Sequence, residues 1–291
     1  MDPSQVLLFQ TIVNGLLLGG ILAVISAGLS LVYGVLHIIN VAYGEFIMLG
    51  AYTSYWIAVL AGVDPMFSFP LVFVIFYVVG YFVQKYVVNR IMGEYALKSL
   101  VLFFGVSIIM ANLSLLTLGT EFKITTTPLS GISFWLGPIS FPITRMVMFV
   151  AALGITYVLF TSLKKSWTGM AIRATAYDRE AASLMGVNVN KIYATTFAIS
   201  TGLAALSGGL ISSITSLHPT MGGPYLMYAF LISVIGGMGY LPGTLIGGFI
   251  LGFLCSFINS YFVGQFTFLI LFILLWILLV FFPKGIFGKG M

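Results

Sequence analysis

VLLFQTIVNGLLLGGILAVISAGLSLV, residues 6–32, runs for 27 residues without a formal charge. A helix needs about 20 apolar residues to cross the hydrocarbon of a bilayer, so this run can span by itself. Similar runs follow at 35–62, 67–89, 98–118, 143–163, 192–217, 224–240, 243–262 and 266–283. The whole chain of 291 residues is 60% hydrophobic and 7% charged, against about 25% charge in soluble domains. These figures exclude a soluble globular protein. They predict an all-α polytopic membrane protein with eight or nine transmembrane helices, organised as one transmembrane domain over 1–291. The difference of one span turns on GGMGYLPG at 236–243, which reads either as a turn at the membrane surface or as a re-entrant break inside it.

Charge sets the expected orientation. Ten of the twelve basic residues fall in three places: Lys85, Arg90 and Lys98 after the third run, Lys164, Lys165, Arg173, Arg179 and Lys191 between the fifth and sixth, and Lys284 and Lys289 in the tail. Nine spans put all three on one side and leave Asp2, Asp64, Glu121, Lys123 and Arg145 on the other. The positive-inside rule then predicts the N-terminus outside and the C-terminus in the cytoplasm. The net charge of +5 is thus read as orientation, not as a nucleic-acid footprint. Residues 1–5 (MDPSQ) carry no basic residue before the apolar run, and no small-residue cleavage pattern follows it, so the first helix is expected to stay in the chain.

Enzyme chemistry finds little footing. His37 and His218 lie far apart and neither belongs to a His-Glu-x-x-His pattern, Glu45 has no second intramembrane carboxylate beside it, and the lone Cys255 supports neither a disulfide nor a metal cluster. Polar side chains within apolar runs mark either a pathway or a packing contact. The densest group is His37, Asn40, Tyr43 and Glu45, flanked by Gly34 and Gly44. Glycines there permit a broken helix, whose free backbone ends can hold the charged groups of a zwitterion. The same residues also suit a helix cap at Asn40 and solvated groups at His37 and Glu45. Asn14, Asn112 and Asn259 are isolated amides, each expected to bond between helices.

Two connections are long enough to carry function. GTEFKITTTPLSGISFWLGPISFP, 119–142, suits an ordered external loop on the membrane interface. KKSWTGMAIRATAYDREAASLMGVNVNK, 164–191, gathers seven of the nineteen formal charges into 28 residues. Within it Tyr177, Ala181, Leu184 and Met185 recur at helical spacing, which predicts one short amphipathic helix over 177–185, tethered by Gly169 and Gly186. Such a helix fits either a groove on another protein or the lipid headgroups.

GMAIRA at 169–174, followed by Asp178, Ala181 and LMGV at 184–187, resembles the cytoplasmic coupling segment of the branched-chain amino acid permeases of ATP-binding-cassette importers. GLSLVYG at 28–34, INVAYGE at 39–45, LGAY at 49–52, GGMG at 236–239 and FPKGIFG at 282–288 are similar to that family's other signatures, in order and spacing. The chain is identified as resembling the H-type (LivH-like) subunits, with a similar urea permease branch that no motif here separates.

The resemblance implies one half of a pore in a prokaryotic inner membrane. It implies a second permease subunit, two cytoplasmic ATPases holding ATP and magnesium, and an external solute-binding protein. No G-x-x-x-x-G-K-[ST] run occurs in this chain, in keeping with ATP hydrolysis residing elsewhere. It further implies that Gly169, Arg173, Asp178, Ala181, Leu184, Met185 and Gly186 couple to an ATPase, with Asn40, Tyr43, Glu45 and His37 as substrate-pathway candidates. The family more commonly carries His where Tyr43 stands, which makes Tyr43 a candidate selectivity position. An ion-coupled carrier using Glu45 would have no use for the coupling segment.

Overall fold

Two helices buried on almost every side, α1 (Pro3–Leu36) and α8 (Val189–Ser212), form the axis on which the others pack. The computed structural model describes residues 2–91, 96–262, 264–282 and 285–287. Lys284 and Lys289, and Pro283 and Gly288 of the terminal motif, lie outside the described residues. The remaining helices are α2 (Tyr43–Ala61), α3 (Pro65–Tyr86), α4 (Ala96–Leu118), α5 (Ile143–Lys165), α6 (Trp167–Tyr177), α7 (Arg179–Leu184), α9 (Gly222–Gly236), α10 (Leu241–Tyr261) and α11 (Thr267–Phe281).

Lipid is as apolar as leucine, so helices in a membrane associate through close packing and small residues rather than by escaping solvent. The chain follows that rule. Gly15 and Gly19 of α1 lie on the backbone of Gly252, Phe253 and Phe249 of α10, and Gly248 lies on Ala23. On the other side of the axis Gly208 of α8 rests against the Ile47 carbonyl of α2, and Gly50 of α2 against the backbone of Ala205. Helices α4 and α11 turn most of their surface outward, with Leu97, Leu116, Trp276 and Phe281 all strongly exposed, as lipid-facing or subunit-facing helices do.

The connection between α4 and α5 is ordered and contains the only described strands. β1 (Ser133–Leu136) and β2 (Ile139–Pro142) pair antiparallel about Gly137, whose φ of +63° suits a two-residue turn. The Gln10 side chain ties α1 to this hairpin: its Nε2 donates to the Ser140 carbonyl at 3.0 Å and its Oε1 accepts from the Ser140 N–H at 2.9 Å. Helices α6 and α7 lie on the opposite face. α1 starts at the hairpin face and α11 ends on the other, where the Ile286 N–H donates to the Ile235 carbonyl at 2.9 Å.

The number of spans resolves in an instructive way. Eight described helices are long and apolar enough to cross a membrane, α11 being counted with the turn that leads into it from Gly264, and α9, with 15 residues, is not; at 1.5 Å per residue it covers about 22 Å, short of the hydrocarbon thickness of about 30 Å. The segment 236–243, read as a possible re-entrant break, is a tight turn between α9 and α10. There Gly237 and Gly239 take φ of +88° and +85°, and the Gly239 N–H donates to Ser30 Oγ at 3.2 Å. The break inside the bundle comes earlier, at 213–221, where the chain leaves α8 and α9 has not yet begun.

The isolated amides mostly stay within their own helices. Asn14 accepts from Gln10 one turn away and Asn112 donates to the Ile108 carbonyl; Asn259 alone reaches another helix, accepting from Thr267 Oγ1 at 3.2 Å. The expectation of three interhelical bonds is therefore corrected to one, because a nearby carbonyl or side chain on the same helix satisfies the other two without cost in packing.

Substituting Gly208→Val should destabilise the solubilised chain by about 3 kcal/mol, since its Cβ would meet backbone rather than a movable side chain. Gly105→Ala, with open space around its Cβ, should raise stability by roughly 0.5–1 kcal/mol. Thermal denaturation in detergent measures both.

Candidate functional site

Two helices, α2 and the short α9, begin inside the bundle. α1 ends with His37 in the left-handed region, φ 55°, and the chain then turns back into the bundle over 38–42 before α2 begins. The Tyr43 hydroxyl donates to the Ile25 carbonyl of α1 at 2.6 Å. Ile25 lies about 22 Å along α1 from Gln10 and about 16 Å from Leu36 at 1.5 Å per residue, so α2 starts near mid-depth. α9 starts at the same level. Its first residue, Gly222, lies against Gly44, and a Cβ built on Gly222 would sit 2.8 Å from the Gly44 carbonyl carbon.

This junction gathers unsatisfied polar atoms. Glu45, in the first turn of α2 and 8% exposed, accepts from Ser107 Oγ of α4 at 3.3 Å through Oε1. Its Oε2 lies beside Gly222, 3.1 Å from where a Cβ would stand, and has no hydrogen-bond partner among the described residues. Asn40, 1% exposed, likewise leaves Oδ1 without a partner. Buried polar atoms are normally paired. Two acceptors left over at one break, at the amino ends of two helices, form a place that can receive hydrogen-bond donors.

The predicted pathway residues therefore separate. Glu45 is brought together with Ser107 and Gly222, which the sequence reading did not single out, while Asn40 lies buried in the break that precedes α2. Asn40 does not cap α2: Ala42 occupies that position and no side chain bonds there. Tyr43 is fully buried with its hydroxyl committed to α1 and set against Gly28, where a Cβ would collide with it. His37 stands exposed at the end of α1, near Tyr33 with ring centroids 6.2 Å apart. The missed partner had a signal in HPTMGGP at 218–224, two prolines and two glycines within an apolar stretch.

The second cluster lies on the face opposite the hairpin. The single helix expected over 177–185 is two: α6 ends at Tyr177, and Asp178, with φ −151° and ψ 110°, caps α7 through Oδ1, which accepts from the Glu180 and Ala181 N–H groups at 2.9 Å each. An Asp side chain that binds the backbone two and three residues ahead replaces a helical turn. Gly169 does not tether α7. It lies inside α6, where a Cβ would stand 2.5 Å from the Ser162 and Leu163 carbonyls, so it lets α6 fold back on α5. Gly186, φ +85°, does end the element. Ala181 is exposed, the Arg173 guanidinium reaches the Lys164 carbonyl at 3.4 Å, and Tyr177, Leu184 and Met185 are each more than four-fifths exposed. An exposed apolar cluster outside the spanning helices marks an interaction surface.

With this geometry in view, the family model for the permease component of branched-chain amino acid transport systems matches residues 11–287. The chain belongs to that family. It is 31% identical over 253 residues to the high-affinity branched-chain amino acid transport system permease protein BraD of Pseudomonas aeruginosa, covering 82% of each chain. It is 32% identical over 266 residues to the corresponding protein LivH of Escherichia coli K12, covering 85% of each. A shorter stretch of 92 residues, 29% of this chain and 28% of the other, is 39% identical to the ribose import permease protein RbsC of Haemophilus influenzae. No solved structure gives a significant match. The chain is thus a multi-pass membrane permease component, and its relatives are transport permeases.

If Tyr43 serves packing, Tyr43→Phe should cost about 1 kcal/mol of stability, the usual worth of one hydrogen bond, and leave solute preference unchanged. Thermal denaturation together with competition uptake assays reads both quantities.

Proposed function

We propose that this chain is one half of the membrane pore of an ATP-binding-cassette importer for branched-chain or other hydrophobic amino acids. Its N-terminus and hairpin face outward, and its C-terminus, α6 and α7 face the cytoplasm of a prokaryotic cell. The charge distribution supports this orientation, with five basic residues over 164–191 on the α6 and α7 face. A second permease subunit completes the pore, an external binding protein delivers solute to the hairpin side, and two cytoplasmic ATPases, which hold ATP and magnesium, drive the cycle. Catalysis resides on those ATPases.

The observation that carries the pathway assignment is the pair of buried acceptors, Asn40 Oδ1 and Glu45 Oε2, at the break where α2 and α9 begin. An α-ammonium group carries three donors and a positive charge, the complement of a carboxylate beside an amide oxygen. His37 and Tyr43 stand aside from this contact: the first caps α1 and the second braces α2. Short amides such as urea also offer N–H donors and are the competing cargo.

Coupling runs through the exposed apolar cluster. Tyr177, Leu184 and Met185 seat in a groove on the ATPase, with Ala181 between them, Asp178 and Gly186 holding α7 at its ends, and Arg173 and Gly169 fixing α6 beneath. Movement of the ATPases then shifts α6 and α7 against α5 and α8, to which they are joined.

In proteoliposomes holding the complete transporter, leucine uptake should require internal ATP and the external binding protein, and urea should not be taken up. Urea uptake with no leucine uptake would change the cargo; uptake by this chain without ATP would overturn the importer reading. Glu45→Gln should reduce leucine uptake roughly tenfold, the scale of one charge-assisted hydrogen bond. The double substitution Arg173→Glu with Leu184→Asp should abolish ATP-driven uptake while the protein still reaches the membrane, as surface labelling of intact cells would record.

A further inference from the structure

A second polar constellation lies between the hairpin face and the junction of α2 and α9. Lys123 follows α4 in the external loop, and its backbone is zipped to the connection before α9: the Lys123 N–H donates to the Leu217 carbonyl at 3.0 Å and the Leu217 N–H to the Lys123 carbonyl at 2.7 Å. Its ammonium lies over three rings of α2, at 4.7 Å from the centroid of Trp56, 5.6 Å from Tyr55 and 5.9 Å from Tyr52. All three are within cation–π range, about 6 Å. Tyr52 is seven residues from Glu45 on α2, two turns, so the two share a face of the helix.

The box adjoins a cleft of about 560 Å³ lined by Tyr55, Asp64 and Thr125 among others. Thr125 is 6% exposed, and its Oγ1 has no hydrogen-bond partner among the described residues, as is true of the buried Tyr52 hydroxyl. Asp64 keeps its position by accepting from the Met66 N–H at 3.0 Å. A cation resting on aromatic faces is held by ring quadrupoles alone. A carboxylate offers it a charge-assisted hydrogen bond, roughly twice as strong as a neutral one.

We propose that Lys123 and this cleft form an outer subsite for the carboxylate of the solute. Without solute, the ammonium rests on Trp56, Tyr55 and Tyr52. An arriving α-amino acid draws it off the rings and pairs its carboxylate with Lys123 and the Thr125 hydroxyl, while Asp64 faces the solute ammonium. The solute then passes toward Asn40 and Glu45, where the acceptors take the ammonium. The order of charges, cation outside and carboxylate within, admits zwitterions and opposes solutes that carry only positive charge. This proposal rests on the amino-acid reading of the chain and extends it to a second contact.

Trp56 supplies a readout separate from transport. In the purified complete transporter in nanodiscs, the Trp56 signal is the emission of the wild type minus that of Trp56→Phe. Leucine should change it saturably. Leucinamide, which keeps the side chain and ammonium but lacks the carboxylate, should not. Lys123→Met keeps apolar contact with the rings and should raise the half-saturating leucine concentration roughly tenfold.

An equal response to leucinamide, an unchanged leucine response in Lys123→Met, or no leucine response in the wild type would each overturn the subsite. ATP-driven leucine uptake measured on the same preparation keeps the two readings apart. Uptake without a Trp56 response rejects the subsite and leaves the importer, whereas a carboxylate-dependent Trp56 response without uptake supports the subsite and rejects leucine as cargo.

Discussion

The backbones of Gly44 and Gly222 touch near the middle of the bundle, and the rest of the architecture serves to make that contact possible. Backbone that leaves helical form at membrane depth exposes groups that hydrocarbon cannot satisfy, so it survives only where protein surrounds it. Here α1 and α8 provide the surroundings. Small residues let them approach α2 and α10 at backbone distance, Tyr43 pins the start of α2 to α1, and the Ser200 hydroxyl donates to the Gly28 carbonyl at 2.7 Å to hold α8 there as well. The consequence is functional. Two helix amino ends meet there, and two buried acceptors, Asn40 Oδ1 and Glu45 Oε2, have no hydrogen-bond partner among the described residues.

The two faces of the molecule divide the remaining work. On one, a hairpin bears exposed Phe134, Trp135 and Leu136, and amphipathic aromatic rings are favoured at a membrane interface. On the other, α6 and α7 present charge and exposed apolar side chains outside the spanning helices. Tight connections join each face to the core: Gln10 to the hairpin, Lys123 to the segment before α9, and Gly169 between α5 and α6. Motion at either face therefore has a short mechanical route to the junction of α2 and α9.

Much of this architecture was legible in the sequence because membrane helices announce themselves by length and apolarity. Eight of the nine expected runs match a described helix to within about five residues, whereas the run 35–62 began eight residues before α2 and overran the break at 37–42. The feature that was missed is the break before α9. GGMGYLPG read as either a surface turn or an intramembrane break because glycine and proline break helices anywhere, and sequence does not reveal depth; packing of Gly239 on Gly34, near the end of α1, puts that turn at the end of the bundle. The true break at 213–221 was absorbed into an apolar run that continued past Ser212. The short helix near 177–185 was found by periodicity, but periodicity counts side chains and ignores capping, so Asp178 was read as a member of one helix when it divides two. Asn40 and Glu45 could be named in advance as intramembrane polar residues. Ser107, Gly222 and Lys123 could not, since their roles arise from contacts between segments distant in sequence.

The central claim is that solute passes the junction of α2 and α9. The most direct measurement is thiol labelling of Asn40→Cys in a Cys255→Ser background, in the assembled transporter, with a small water-soluble reagent and with leucine present or absent. The account predicts that the thiol reacts during ATP-driven cycling and that leucine protects it in proportion to uptake. A thiol that stays unreactive in every nucleotide state, or that reacts equally with and without leucine, would place the pathway elsewhere and contradict the account.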